Sequence, residues 1–306
     1  RKDNLNLNTN NSMTNSFKYL TALTATCAVS STAWATNGDN LIAVGPKARA
    51  MGGVGIAAPQ DAISAVFANP AAMCVTPGCN APEANFAGTL FRPDIEGSVN
   101  LGGIGKFKGE SEDNIYAIPA FGLSMPIDPV TRRWRFGLAA YGVSGLGVDY
   151  RDTALDQNIP GTQFPVVAGE YTSLQIMKFA PSIAYQVTPD LSVGLAAHID
   201  YATLDLRNGS TPAYGFGAQV GVLYRVTEQL TVGATYVSPQ KTDFDNVIES
   251  PSGRSNDLTL EAPHQVGVGV AYSFFENRLI TEVNGKWYNW SGADGYQDFD
   301  WSDQWI

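Results

Sequence analysis

The sequence predicts an all-β protein, a transmembrane antiparallel β-barrel, to which the N-terminal residues separately add a small plug. Three observations lead to the barrel. Charged residues are only 16% of the 306, while hydrophobic residues reach 44% and come with 31 Gly, 14 Phe, 13 Tyr and 6 Trp; soluble domains usually carry about 25% charged residues. From about Phe86 onward, apolar residues alternate with small or polar ones, the mark of strands with two unlike faces. No uninterrupted apolar run approaches the roughly 18 residues a membrane helix requires. The net charge of -10 opposes a nucleic-acid partner, since a phosphate backbone wants a basic face.

Residues 1–12 are polar and Asn-rich and read as an upstream extension without a fold. Residues 13–35, "MTNSFKYLTALTATCAVSSTAWA", place Lys18 before a modest apolar stretch and end in the small-x-small pattern Ala33-Trp34-Ala35. That pattern predicts a secretory signal with the mature chain starting at Thr36. A lipoprotein signal centred on Cys27 fits less well, because Thr26 is a poor residue before a lipidated cysteine. Export leaves Cys74 and Cys79, with four residues between them that include the turn-forming Pro77-Gly78. An oxidising compartment favours a disulfide between them, with two free thiols as the alternative. No metal is expected, since neither His198 nor His264 lies near them in sequence.

Residues 36–83 read as the plug. Their centre, Ala48–Met73, is "ARAMGGVGIAAPQDAISAVFANPAAM". Gly53-Val54-Gly55-Ile56-Ala57-Ala58 fits a dinucleotide-binding pattern, but that motif needs a βαβ unit, and here it stands between a signal and a run of hairpins. No cofactor is expected; the small residues suit a segment packed tightly in a narrow space.

Residues 84–306 read as the barrel, incomplete at the C-terminus. In Phe216–Val226 the residues Phe216, Ala218, Val220, Val222, Tyr224 and Val226 share one face. In Val266–Phe274 and Val193–Tyr201 the same alternation sets bulky apolar residues against Gly, Ala and polar groups. A soluble sandwich also alternates, but its second face would not be so crowded with Gly, Ala and Ser. "YQVTPDLSVG" and "YRVTEQLTVG" repeat one short turn, with "YSFFENRLI" a looser copy. The other connections, Arg92–Asn114, Ser144–Glu170 and Pro239–Asp257, are longer, as in an outer-membrane barrel. About ten strands are expected, near 84–92, 115–127, 134–143, 171–187, 190–206, 213–226, 229–239, 258–274, 279–290 and 298–306. The last would stop at Trp305-Ile306 with an unpaired edge, so the chain reads as truncated.

The stretch Ala48–Met73 also carries a family resemblance. Its Arg-Ala-x-Gly-Gly-x-Gly run (Gly52, Gly53, Gly55), Asp61-Ala62 and Asn69-Pro70-Ala71 resemble the N-terminal hatch of the FadL/TodX family of outer-membrane transporters for long-chain fatty acids and other hydrophobic compounds. "LTLEAPHQVGVGVAY" (Leu258–Tyr272), "WYNWS" and "WSDQW" resemble its later barrel segments. The resemblance implies fourteen strands and a passive route: loops capture an apolar ligand, a pocket near the mature N-terminus holds it, and a gap in the wall releases it sideways. The gap is implied at a kinked third strand, where Gly145 aligns with the kink glycine; an ordinary glycine at a strand end is the alternative. The following loop holds Leu146, Val148, Tyr150, Phe164, Val166 and Val167, a candidate ligand-capture surface. The expectation is an outer-membrane monomer, surrounded by lipid, that takes up long-chain fatty acids. Uptake of aromatic hydrocarbons is the alternative, and so is a general diffusion porin for polar solutes. No enzyme is expected: His198 beside Asp200 suits a polar lumen network, and no nucleophile elbow accompanies them.

Overall fold

The structure is a computed structural model that describes residues 37–73, 81–112, 115–128, 130–162, 166–167, 170–249 and 255–306. The upstream extension, the predicted signal, Thr36, Cys74, Cys79 and Phe164 lie outside the described residues. No helix among the described residues is long and apolar enough to cross a membrane.

The plug segment comes first, with helices α1 (Pro46–Ala50) and α2 (Ala62–Ala68) and a short 3-10 turn at Pro70–Met73. Fourteen strands follow among the described residues. The first is β1 (Glu83–Phe91), then a hairpin of β2 (Glu96–Asn100) and β3 (Lys106–Glu110), then β4 (Tyr116–Pro126), β5 (Trp134–Asp149) and β6 (Tyr171–Gln186). Next are β7 (Leu191–Asp205), β8 (Ser210–Arg225) and β9 (Leu230–Val237), and a second hairpin of β10 (Gln240–Glu249) and β11 (Ser255–Ala262). Finally come β12 (Gln265–Phe274), β13 (Leu279–Tyr288) and β14 (Gln304–Trp305). Ten of these form one antiparallel sheet in the order β1-β4-β5-β6-β7-β8-β9-β12-β13-β14, and each hairpin is a separate two-stranded sheet. Among the described residues β1 and β14 are not paired with one another, so the wall is not closed.

The faces of this wall distinguish a membrane barrel from a soluble sandwich. Phe86 (79%), Leu90 (80%), Phe216 (68%) and Val283 (71%) are largely exposed, and Val193, Leu195, Val220, Val222, Val266, Val268 and Val270 are exposed too. Such a continuous apolar surface would be a severe liability in water and is what hydrocarbon requires. Aromatic residues mark the ends of the stripe. Trp134 and Tyr185 pack at 4.4 Å beside the short turns, where Tyr224, Tyr272 and Phe274 also lie, and Tyr201 and Tyr214 meet at 5.4 Å toward the opposite end. Aromatic side chains suit the membrane–water boundary because an apolar ring there can carry a wet polar tip.

The expected strand positions hold through most of the sheet, with three corrections. The strand expected over 258–274 is broken at Pro263-His264, dividing it between β11 and β12; proline has no N–H to give to a ladder. The connections over 92–114 and 239–257 are not plain loops but carry β2–β3 and β10. The strand expected over 298–306 shrinks to Gln304–Trp305, because Gln297–Phe299 take a 3-10 turn and Asp300 turns left-handed at φ 55°.

Candidate functional site

The plug seats on the inner face of the wall, and glycines make the room. A Cβ on Gly122 would stand 2.6 Å from the Ile63 nitrogen, one on Gly233 2.5 Å from the Ile56 carbonyl oxygen, and one on Gly267 2.7 Å from the Ile56 side chain. Cβ atoms on Gly137, Gly194 and Gly221 would collide with Met73, the Pro70-Ala71 backbone and the Asn69 amide. The face that looked too small for a solvent-exposed surface is small because a second layer of protein lies against it. Val44, Ile63, Val66, Ala71 and Met73 from the plug bury there with Ala120, Ala139, Tyr141, Ala180 and Ala184 from the wall.

Asp61 and Asn69 of the plug motif have clear local tasks. Asp61 caps α2: Ser64 N–H donates to Asp61 Oδ1 at 2.8 Å and Asp61 N–H donates to Ser64 Oγ at 3.1 Å, a capping box. Asn69 ends the helix and joins three segments. Its Nδ2 donates to Ile56 O (2.8 Å) and Val222 O (3.1 Å), while its Oδ1 accepts from Ala71 N–H (3.1 Å). The last α2 carbonyls, Phe67 O and Ala68 O, accept from Gln219 Nε2 at 3.3 and 3.2 Å, and Ala71 O accepts from Ser192 Oγ at 2.7 Å. A buried helix end thus finds its partners on the barrel wall rather than in water.

The glycine-rich loop does cradle an anion, though not a nucleotide. Gly53 and Gly55 sit at φ 86° and 151°, where a side chain would be strained, and turn successive N–H groups to one side. Gly55, Ala57 and Ala58 N–H donate at 3.1, 2.8 and 3.2 Å to the Glu282 carboxylate on β13. Four residues on, Lys286 Nζ donates to Gly53 O at 3.0 Å.

The start of the described chain docks on an irregularity in β5. The β5–β6 register shifts between Gly142 and Ser144, so Val143 is bulged. Its carbonyl accepts from Leu41 N–H at 2.8 Å, and Gly145 N–H donates to Asp39 O at 3.3 Å. Burial raises the Asp39 carboxyl above its ordinary value of 3.8, against the donation it receives from the Tyr296 hydroxyl. Tyr296 is raised in turn by burial and the neighbouring carboxylate.

Two cavities flank the plug. Toward the short turns lies one of 350 Å³ with a mixed lining that includes Gln60, Arg135, Arg225 and Glu228. The other, of 50 Å³, lies beside the bulge between Phe67, Tyr141, Val143, Val237, Lys178 and Tyr288. Its cations are engaged. Lys178 Nζ is 3.5 Å from Asp200 Oδ1, 3.4 Å from His198 Nδ1 and donates to Gln240 Oε1, and Lys286 is held by the plug.

The sequence-predicted site residues therefore fall in three places. Gly52, Gly53, Gly55, Asp61, Asn69, Pro70 and Ala71 come together in the plug. Gly145 lies inside β5, regularly paired with Gln175, and the irregularity is two residues earlier at Val143. Leu146 and Val148 belong to β5 rather than to a loop. Tyr150 and Val166 are buried with Leu155, and Val148, Val167 and the β2–β3 hairpin's Val99 and Phe107 pack on them. His198 and Asp200 are bridged by Lys178 instead of forming a pair of their own. Sequence reasoning missed Lys178, Gln219, Glu282 and Lys286. Their signal was present: Lys178 and Gln219 are polar groups on the small-residue faces of their strands, and Glu282 and Lys286 share with Asn284 the face of β13 opposite Val283.

A profile of the family described as outer membrane protein transport protein (OMPP1/FadL/TodX) matches residues 22–213, well over half of the chain. Solved structures agree in fold. The Pseudomonas putida toluene transporter TodX superposes with a TM-score of 0.60 at 20% identity, over 84% of this chain and 72% of its own. The Ralstonia pickettii toluene transporter TbuX gives 0.59 at 19%, over 82% and 73%. The CymD monoaromatic hydrocarbon channel gives 0.56 at 17%, over 84% and 71%. No curated protein sequence matches the chain. Family profile and fold agree, and the chain belongs to the OMPP1/FadL/TodX family of outer-membrane transport proteins.

Proposed function

We propose that this outer-membrane barrel conducts small uncharged hydrophobic compounds, monoaromatic hydrocarbons in particular, by passive passage around its plug. Membership of the family carries the outer-membrane location and the transport of hydrophobic compounds. The finer choice rests on the charge balance of the cavity beside Val143. Its lining mixes apolar and aromatic side chains with the neutral polar Gln219, Thr235 and Gln265, and its two lysines are already held, Lys178 by Asp200, His198 and Gln240, and Lys286 by Gly53 O. A fatty-acid carboxylate brought there would meet no free cation among the described lining residues, and an unpaired charge in such a site is costly. A neutral ring needs none. The similar structures of two toluene transporters and a monoaromatic hydrocarbon channel support the same choice.

In this route the ligand rests beside the Val143 bulge and leaves through the wall there, since a bulge weakens the local ladder. A diffusion porin for polar solutes fits worse, because the plug fills the lumen. Initial uptake of labelled toluene and labelled oleate by cells carrying the full-length gene separates the readings. Toluene uptake above the gene-deleted background, without oleate uptake, is expected. Oleate uptake alone would assign the route to long-chain fatty acids.

A further inference from the structure

The extracellular hairpin β10–β11 does not stand away from the barrel. It folds inward across the inner faces of β6, β7 and β8, at the end opposite the short turns. Gln240, Thr242 and Phe244 are buried to 1%, 3% and 0% exposure. The wall again gives way with glycine: a Cβ on Gly215 would stand 2.9 Å from Thr242 Cγ2, and one on Gly217 would collide with Gln240. At the hairpin's base Gln240 receives the Lys178 ammonium, so the hairpin meets the cavity beside Val143 from above. The phenyl ring of Phe244 fills a socket of Leu174, Ala202, Leu204 and Ala213 from the wall and Val247 from the hairpin.

We propose that β10–β11 is a lid on the lumen, and that the socket beneath it, occupied in the closed state by Phe244, is a binding subsite for one neutral aromatic ring on its way in. The inference rests on the hydrocarbon route proposed above and adds an entry site and a moving part to it. The phenylalanine side chain is a benzyl group, so a socket that seats it offers a free toluene-like ring the same dispersion contacts. Something must move before cargo can pass. A dry protein cavity of about 150 Å³ holds benzene, and the cavity below the lid has 50 Å³.

The hairpin is suited to be that part. Its strands pair with each other and not with the ten-stranded sheet, so it can lift without breaking a ladder bond of the wall. Its own pairing slips between Phe244 and Ile248, with Asn246 left-handed at φ 55°, so the irregular stretch starts at the plugging ring. Its outer ties are the Lys241–Asp294 ion pair, partly exposed and screened by water, and one backbone bond from Glu261 N–H to Asp294 O at 3.0 Å. An incoming ring that replaces Phe244 would shift the lid toward its open state, as a ligand with higher affinity for one of two states must.

Gly215→Cys with Thr242→Cys places a disulfide between wall and lid. Uptake of labelled toluene by cells expressing the full-length double variant is measured oxidised and after reduction. If the lid must lift, the oxidised form is slower by about tenfold or more and reductant restores the wild-type rate, since uptake then scales with the open population. Equal rates in the two states, with the disulfide confirmed by mass, overturn the lid. Should the reduced form itself be inactive, Gly217→Cys with Gln240→Cys makes the same comparison at the hairpin's base. Wild-type cells that take up no toluene would refute the hydrocarbon route and the aromatic subsite with it. A wild type that transports, beside a locked lid that transports equally well, refutes only the lid.

Discussion

Replacing Glu282 with alanine should release the glycine-rich loop from the barrel wall. Three N–H groups, at Gly55, Ala57 and Ala58, converge on this one carboxylate from 2.8 to 3.2 Å. Hydrogen bonds to a charged group are worth about 1.5–3 kcal/mol each, but three that share one acceptor do not add. Water can reach part of the loop once it loosens, which lowers the loss further. A net cost of about 3 kcal/mol remains, roughly a hundredfold in the ratio of docked to undocked loop. Backbone hydrogen exchange reads this directly. The Gly55, Ala57 and Ala58 amides of the full-length protein in lipid should lose protection by about two orders of magnitude, while Ala65 and Asn69, bonded within α2, change far less. Glu282→Gln keeps one carbonyl oxygen but turns an NH₂ toward the donors, so it should fall between wild type and alanine. Unchanged exchange at the three amides in Glu282→Ala would refute the cradle.

Three further outcomes follow from the same contacts. Gly194→Ala, whose new Cβ meets the Pro70-Ala71 backbone, should destabilise the folded barrel by about 1–3 kcal/mol in denaturant titration, whereas Gly88→Ala, with open space around it, should not. Equal midpoints for the two variants would contradict plug-to-wall packing as the reason for the inner glycines. Burial raises the Asp39 carboxyl, so the docked state holds more protons than the undocked one from 3.8 upward, and docking weakens as pH rises through that window. Asp39→Asn should therefore protect the Leu41 and Gly145 amides better than wild type near neutral pH and no better near pH 4; a difference that does not vary with pH would exclude the carboxyl as its source. Cys74 and Cys79 are proposed to be bonded, and a thiol count on unreduced folded protein should find neither free; two reactive thiols would leave the segment after Met73 without a staple.

The wall was legible in the sequence because its signal is local. Val193–Tyr201, Phe216–Val226 and Val266–Phe274 each alternate within one strand, and the face that alternation assigns to lipid is the exposed one. The plug was legible as a compact stretch but its docking was not, since Ala57 and its partner Glu282 stand 225 positions apart. The dinucleotide-like pattern shows the limit most clearly. A concave run of N–H groups is what those glycines build, and no local pattern could say that the anion would be a carboxylate from the far side of the barrel. β10 was hidden for a different reason. "QKTDFDNVIE" is too polar to read as a buried strand, because its inward face is shared between an apolar socket and the Lys178 network.

The glycines under the plug also bear on how such a wall could assemble correctly. Period two means that a strand slipped by one residue turns its glycine row to lipid and its valines and phenylalanines inward. Gly194, Gly221 and Gly233 lie on three different strands, and all meet one small patch of plug, Ile56 and Asn69–Ala71. A slip in any of these strands would push a bulky side chain into space that patch already occupies. The docked plug thus has the shape of a mandrel, against which only the correct alignment of these strands fits.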